Sequence, residues 1–132
     1  MSSTLRLDEE TATHHSVKWV ASEVVPGVRF LINLMSLDRK IELTRRVREI
    51  GRKVEFFEAS TDPRQRLEVA VLVNEIDREY VSWGLVRIEG LNVDGVLATP
   101  ELLLSKGPLP LAMEALKHVK AECGLTDEER KN

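Results

Sequence analysis

The side chains of this chain that could support catalysis or bind a metal are its histidines, its single cysteine and its carboxylates. His14 and His15 are adjacent, and adjacent side chains do not project to one side of a helix or a strand, as two ligands of one metal must. No carboxylate, cysteine or serine stands at a recognisable spacing from His118 to act with it. We therefore expect all three histidines to be polar residues without a chemical role, with His118 exposed.

Cys123 follows Glu122 near the predicted end of a helix, whereas a reactive thiolate is favoured by a cationic neighbour or a helix N-terminus. Glu89, Asp94 and Glu101 could supply a pair of carboxylates, but their spacing predicts no common geometry, and solvation or capping accounts for them. The glycines are scattered, so no nucleotide-binding loop is indicated. The sequence thus predicts no catalytic residue, no cofactor-binding residue and no metal ligand, and we expect that the protein is not an enzyme.

Composition narrows the class of protein. The chain has 132 residues, 42% of them hydrophobic, and a net charge of -3, which fits one domain without long-range attraction to nucleic acid or anionic membranes. A single cysteine cannot form an internal disulfide, and residues 1–15 contain no apolar run of the kind a signal peptide has. No segment approaches the ~20 apolar residues of a membrane span. We expect a soluble, cytoplasmic protein without a membrane partner.

The first structured region is predicted to be a hairpin. Polar and apolar residues alternate from Val17, and Pro26-Gly27 can reverse the chain, so Trp19 is expected to pair with Leu34 in a hairpin over about Val17–Met35. This register places seven apolar residues on one face, which we expect to be core: Trp19, Ala21, Val25, Val28, Phe30, Ile32 and Leu34. Because a type II turn suits the twist of a tight hairpin poorly, a looser connection stays open.

Four helices are predicted after the hairpin. Ser36 signals the start of the first, and Gly51 is expected to weaken or end it. Asp62-Pro63 starts the second, whose wide apolar face over about Gln65–Trp83 packs against the hairpin and makes Trp83 a core residue. Gly84 ends this helix, and a strand, a second hairpin turn at Asp94-Gly95, a short helix after Thr99 and a last helix from Leu109 or Pro110 follow in that order.

The predicted fold is therefore α+β, with a small N-terminal antiparallel hairpin or sheet packed with about four helices. Residues 1–15 are expected to form a mobile arm, 16–125 a single globular domain, and 126–132 the start of a C-terminal helix or a tail. The capping box Thr126-Asp127-Glu128-Glu129 predicts a helix start, which is marginal in so short a segment unless it docks or continues.

Two surfaces are candidates for binding. Between Ser36 and Lys53 the first helix carries seven of the 19 basic residues, but interspersed acids dilute them, and no aromatic stacking groups or helix-turn-helix partner are evident. A solvated face is the simplest interpretation, a protein-binding face is the next, and we do not expect nucleic-acid binding. In the last helix the apolar residues occupy more than one stripe, so Leu111, Leu116 and Val119 are predicted to bind a partner.

Four segments carry a resemblance to a known family: PGVRFLINLMSLDRK at 26–40, YVSWGLVRIEGLNVDG at 80–95, KGPLPLAMEAL at 106–116 and GLTDEERKN at 124–132. Together they resemble the tail assembly chaperones encoded in the tail gene clusters of tailed phages and prophages. The resemblance implies a non-enzymatic protein of the bacterial host cytoplasm that binds the tape measure protein during tail morphogenesis and is absent from the finished particle. It also implies that many members have a longer, frameshifted form.

Other assignments stay open at this point. The main alternative is a permanent structural subunit of a phage tail or head-tail connector, for which the partner would be another tail protein. A small nucleic-acid-binding regulator acting through the basic helix is a more distant alternative. The sequence leaves open whether the protein is a homo-oligomer and which client segment it would bind.

Overall fold

The computed structural model describes residues 11–124, which form an α+β fold as predicted. The strands are β1 (Val17–Ala21), β2 (Arg29–Asn33), β3 (Leu85–Glu89), β4 (Asn92–Val93) and β5 (Val96–Leu97). The helices are α1 (Leu37–Glu58), α2 (Pro63–Gly84), α3 (Pro100–Lys106) and α4 (Leu109–Glu122). Residues 11–15 are exposed and belong to no helix or strand. The rest of the predicted arm and the predicted capping box at 126–129 lie outside the described residues.

The main sheet is antiparallel with strand order β1-β2-β3, and its first hairpin differs from the predicted one in register. Trp19 pairs with Leu31 instead of Leu34. Because side chains alternate along a strand, this odd shift moves Trp19 and Ala21 to the outer face of the sheet, while Phe30 and Ile32 remain fully buried on the inner face. The prediction that Trp19 is core is therefore wrong: it is 38% exposed, and the Arg29 guanidinium lies 4.1 Å from the centre of its ring.

A loop at 22–28 replaces the predicted tight turn, and hydrogen bonds to α4 hold this looser connection in place. The Glu114 carboxylate accepts from the Ser22 hydroxyl at 2.5 Å and from the Glu23 backbone N–H at 2.6 Å. The Ser22 hydroxyl in turn accepts from the backbone N–H groups of Val24 and Val25 at 3.1 and 3.0 Å. Glu114 is distant in sequence, so the hairpin residues alone could not have revealed this anchor.

Strand β3 completes the sheet through one irregularity and one close backbone approach. The β2–β3 register shifts between Leu31 and Ile32, so that Val86 forms a β-bulge and its side chain is exposed. At the end of β3, Gly90 has a φ of +83°, and a Cβ there would lie 2.0 Å from the carbonyl oxygen of Gly27. Only glycine satisfies both conditions, and it lets the β1–β2 loop lie against the end of β3.

The predicted helix starts are confirmed. The Ser36 side chain accepts from the Arg39 N–H, the Asp62 side chain from the Arg64 N–H and the Thr99 side chain from the Leu102 N–H. The expectation that Gly51 weakens or ends α1 is wrong with respect to the end, because the helix continues to Glu58. A glycine inside a helix costs only about 1 kcal/mol, and packing along the antiparallel helix α2 offsets that loss.

The core lies between the inner face of the sheet and helices α2, α3 and α4. Its largest fully buried side chains come from the sheet, the β1–β2 loop and the two C-terminal helices: Val28, Phe30, Ile32, Ile88, Leu103, Leu111 and Val119. Trp83 on α2 is buried, as predicted. Helices α2 and α4 approach closely at Gly84, where an added Cβ would lie 2.4 Å from a methyl group of Val119. The fold therefore fixes α4 tightly, while α1 packs chiefly on α2.

Candidate protein-binding groove

The residues considered for chemistry are not brought together. Glu89 accepts from Arg29 Nε at 2.7 Å, Glu101 accepts from Arg78 at 2.5 Å, and Asp94 occupies the turn between β4 and β5. Within residues 11–124, no three side chains among the histidines, cysteine and carboxylates are placed to hold a metal ion. These acids therefore serve ion pairs and a turn.

Of the two histidines at 14–15, His118 and Cys123, the last two are half-buried. His118 was expected to be exposed, and that is wrong: its ring lies 6.2 Å from the Phe30 ring, and its Nε2 is buried without a hydrogen-bond partner in the described part of the chain. Burial, and after it the negative charge of Glu122, raises the pKa of the Cys123 thiol to about 11. A thiol with that pKa is protonated at neutral pH, which disfavours nucleophilic chemistry there. His14 and His15 are exposed.

The predicted partner-binding residues do not lie on the surface. Leu111, Leu116 and Val119 are 1%, 4% and 0% exposed. Helix α4 covers the inner face of the sheet and packs against α2, so these three side chains fill the core and are not available to a partner in this conformation. The expectation that they offer an exposed binding surface is therefore wrong. On this helix the exposed large apolar side chains are instead Leu109 and Met113.

An open groove of about 580 Å³ runs along α1 where α2 and the end of α4 meet it. Its floor is formed by apolar or small residues from several elements: Met35, Leu43, Val47, Gly51, Tyr80 and Cys123. Its rim is formed by polar residues of α1: Lys40, Thr44, Arg48, Arg52 and Glu55. The floor residues other than Leu43 are only partly buried, so apolar surface remains accessible in the groove. This surface could accommodate an amphipathic segment of another protein.

Helix α4 borders the groove with its C-terminal end, and a partly buried ion pair holds this end in place. Lys120 Nζ lies 2.8 Å from Asp77 Oδ1, and the two side chains are 13% and 17% exposed. The same ammonium group lies 5.5 Å from the centre of the Tyr80 ring. Burial is the largest cause of a raised pKa at the Tyr80 hydroxyl. These contacts fix the end of α4 against α2, so that Cys123 and Tyr80 line the same groove.

Two of the seven basic residues of α1 bind other parts of the fold, three lie on the groove rim, and Arg45 and Lys53 lie outside the groove. Arg39 donates to the carbonyl oxygens of Ser16 and Leu34, and Arg46 pairs with Glu42 and Glu79. These two side chains stabilise the fold. The three cations on the groove rim, by contrast, have no carboxylate within ion-pairing distance anywhere in residues 11–124: Lys40, Arg48 and Arg52. The groove therefore combines an apolar floor with a positively charged rim.

A second accessible apolar surface lies at the end of the α1–α2 hairpin. Phe56 and Leu67 are 69% and 72% exposed, and the Phe56 and Phe57 rings meet edge to face with centres 5.4 Å apart. Of the residues from Pro63 to Val71, every one is exposed except the half-buried Val69. Asp77, Arg78 and Gly84, which contact α3 and α4, all lie in the last third of α2. The far end of the hairpin is thus left without a covering element among the described residues.

The sequence analysis named α1 as a protein-binding candidate but missed the groove. The rim follows a simple signal, since residues four apart on a helix lie on one side. Leu43, Val47 and Gly51 of the floor share this spacing, but the sequence does not reveal that Met35, Tyr80 and Cys123, from three separate segments, join them. No protein-family model, curated protein or solved structure matches the chain. None of the helices within residues 11–124 combines the length and the hydrophobicity needed to cross a membrane.

Proposed function

We propose that this protein is a non-enzymatic phage tail assembly chaperone, which holds a helical segment of the tape measure protein in the groove along α1. The observation that carries the proposal is the groove itself, with its accessible apolar floor. The choice of client and the location in the bacterial host cytoplasm rest on the resemblance of the four sequence segments. Unlike the surface predicted on α4, this surface needs no rearrangement of the core before a client can bind.

The groove has the dimensions of a helix-binding site. Its α1 residues extend from Lys40 to Glu55, which corresponds to about 22 Å at 1.5 Å per residue. A client helix of about 15 residues, or four turns, would match that length. Recognition of an amphipathic helix by an apolar groove is a common mode of peptide binding, and a holdase needs such a surface to cover apolar client residues.

Gly51 allows a sharp test, because it lies on the groove floor within helix α1. A Cβ added at Gly51 meets no atom within 4 Å. The variant Gly51→Trp should place its side chain in the open groove, and coexpression should then no longer raise the yield of soluble tape measure fragments. Arg45→Trp introduces the same side chain at an exposed position of α1 that does not line the groove, and it should leave client solubilisation unchanged.

The outcome that contradicts the proposal is equally clear. That outcome is a Gly51→Trp protein that keeps an unchanged thermal melt and still solubilises and co-purifies with the fragments. It would show that the groove does not bind the client. If the wild-type protein solubilises no fragment at all, the chaperone assignment itself fails. A stoichiometric ring of this protein in mature particles would favour the structural-subunit alternative.

A further inference from the structure

We propose, building on the function proposed above, that the groove selects a client helix whose apolar stripe is flanked by acidic residues. The partner is thus defined by its chemistry: an amphipathic, acid-flanked helix of another protein. The observations that support it are the rim cations, which have no carboxylate partner within residues 11–124, and the gap that Gly51 leaves in the floor.

The rim cations form one row along α1. Lys40, Arg48 and Arg52 are separated by multiples of four residues, and Thr44 fills the remaining position of the row. Residues at this spacing lie on one side of a helix, here over about 18 Å of its length. Among the described residues, Glu55 is the single acid that lines the groove, and it lies one helical turn beyond Gly51. A client helix with carboxylates repeating every third or fourth residue could place several of them opposite this row.

The floor contributes a shape requirement. Leu43, Val47 and Gly51 follow one another at intervals of four residues, directly beside the basic row. Gly51 interrupts this ridge of side chains, and nothing lies within 4 Å of the position its Cβ would take. A large apolar side chain of the client can enter this gap while carboxylates on the client's flank reach Arg48 and Arg52. Apolar packing would then provide affinity, and the charged rim would provide selectivity.

The selectivity must be local. The chain as a whole carries a net charge of -3, so it does not attract an acidic partner over long distances. Rim pairs that form at short range and stay partly solvated are screened by salt. Acid preference should therefore weaken as ionic strength rises, while the apolar contribution persists.

The test uses three fluorescein-labelled helical peptides that share one apolar stripe and differ in the flanking residues, which are Glu, Gln or Lys. Fluorescence anisotropy with the full chain should give the tightest binding for the Glu peptide and the weakest for the Lys peptide. A difference of about tenfold or more between these two is expected from two or three partly exposed ion pairs. Arg48→Glu/Arg52→Glu should reverse the order, whereas Arg45→Glu, on the same helix but outside the groove, should preserve it.

Two results would overturn the inference. Equal affinity for the three peptides would show that the groove does not select by charge. If Gly51→Trp also blocked all three, the groove would still be the client site. Peptide binding that splits a dimer in analytical ultracentrifugation would identify a second copy as the occupant. Solubilisation of tape measure fragments, measured separately, reports on the proposed function itself.

Discussion

Replacing Gly84 by alanine tests the contact that fixes α4 in the fold. The added Cβ would lie 2.4 and 2.6 Å from the two methyl groups of Val119 and 3.0 Å from its Cβ. Val119 is fully buried and β-branched, so it has little freedom to move away. Helices α2 and α4 must therefore separate by a few tenths of an ångström or more, which disturbs the core around them.

The expected change in the unfolding free energy of Gly84→Ala follows from two opposing contributions. Overpacking a core by one methyl group typically costs about 1–3 kcal/mol. Replacing a glycine by alanine inside a helix returns up to about 1 kcal/mol, and less at Gly84 because it is the last residue of α2. The expected net loss of unfolding free energy is therefore about 1–2 kcal/mol, or roughly 4–8 °C in Tm for a chain of this size.

Gly51→Ala is the matched control, since Gly51 also lies in a helix but has open space around its missing Cβ. It should raise the unfolding free energy by about 0.5–1 kcal/mol. Val119→Ala alone should cost about 2–3 kcal/mol through the lost methyl groups and the cavity. The double variant Gly84→Ala/Val119→Ala should lose at least about 1 kcal/mol less than the sum of the single variants, because the clash is gone.

Urea unfolding followed by circular dichroism measures the four variants and the wild type on one scale. If Gly84→Ala were as stable as the wild type, or gained as much as Gly51→Ala, the two helices would not be in tight contact at this point. Simple additivity in the double variant would likewise show that the loss at Gly84 does not arise from Val119.

Three further predictions concern other parts of the fold. Glu114→Ala should lower the unfolding free energy by about 1–3 kcal/mol, because it removes the acceptor that anchors the β1–β2 loop, and urea midpoints measure this loss. Ile76→Ala should cost only about 1–2 kcal/mol, since Ile76 is half-buried, and a loss of ~4 kcal/mol would place it in the core. The pKa of Cys123 is raised from 9.0 to about 11, so the folded chain keeps a proton that the unfolded chain releases between these values. Stability should therefore fall as pH rises from about 9 to about 11, and less so in Cys123→Ala, by the same assay.

Local signals made most of the helices predictable. Ser36, Asp62 and Thr99 each cap a helix through their own side chain, and such caps depend only on neighbouring residues. The Asp94-Gly95 turn is similarly local, since both residues adopt the positive φ that a tight hairpin requires. The α+β class followed from these elements and from the alternating pattern of β2.

The errors arose where distant residues decide the structure. The first hairpin has a longer loop than the predicted turn, and Glu114 binds Ser22 of that loop from 92 positions away along the chain. The burial of Leu111, Leu116 and Val119 depends on how α4 meets the sheet, and a helical pattern with several apolar stripes does not reveal which stripe faces inward. The groove was missed for the same reason, because its floor is assembled from residues of α1, α2 and α4.

Two of the glycines are required by the packing of the fold, whereas Gly51 is not and instead leaves space in the groove. Gly84 and Gly90 are required by close approaches, because a Cβ at either position would collide with Val119 or with the Gly27 backbone. Gly51 meets no such restriction, and in the interior of α1 it costs about 1 kcal/mol relative to alanine. The packing of the described residues gives no reason for glycine there. What glycine does provide is open space on the floor of the groove beside Arg48 and Arg52, where the proposed client helix would place its largest apolar side chain.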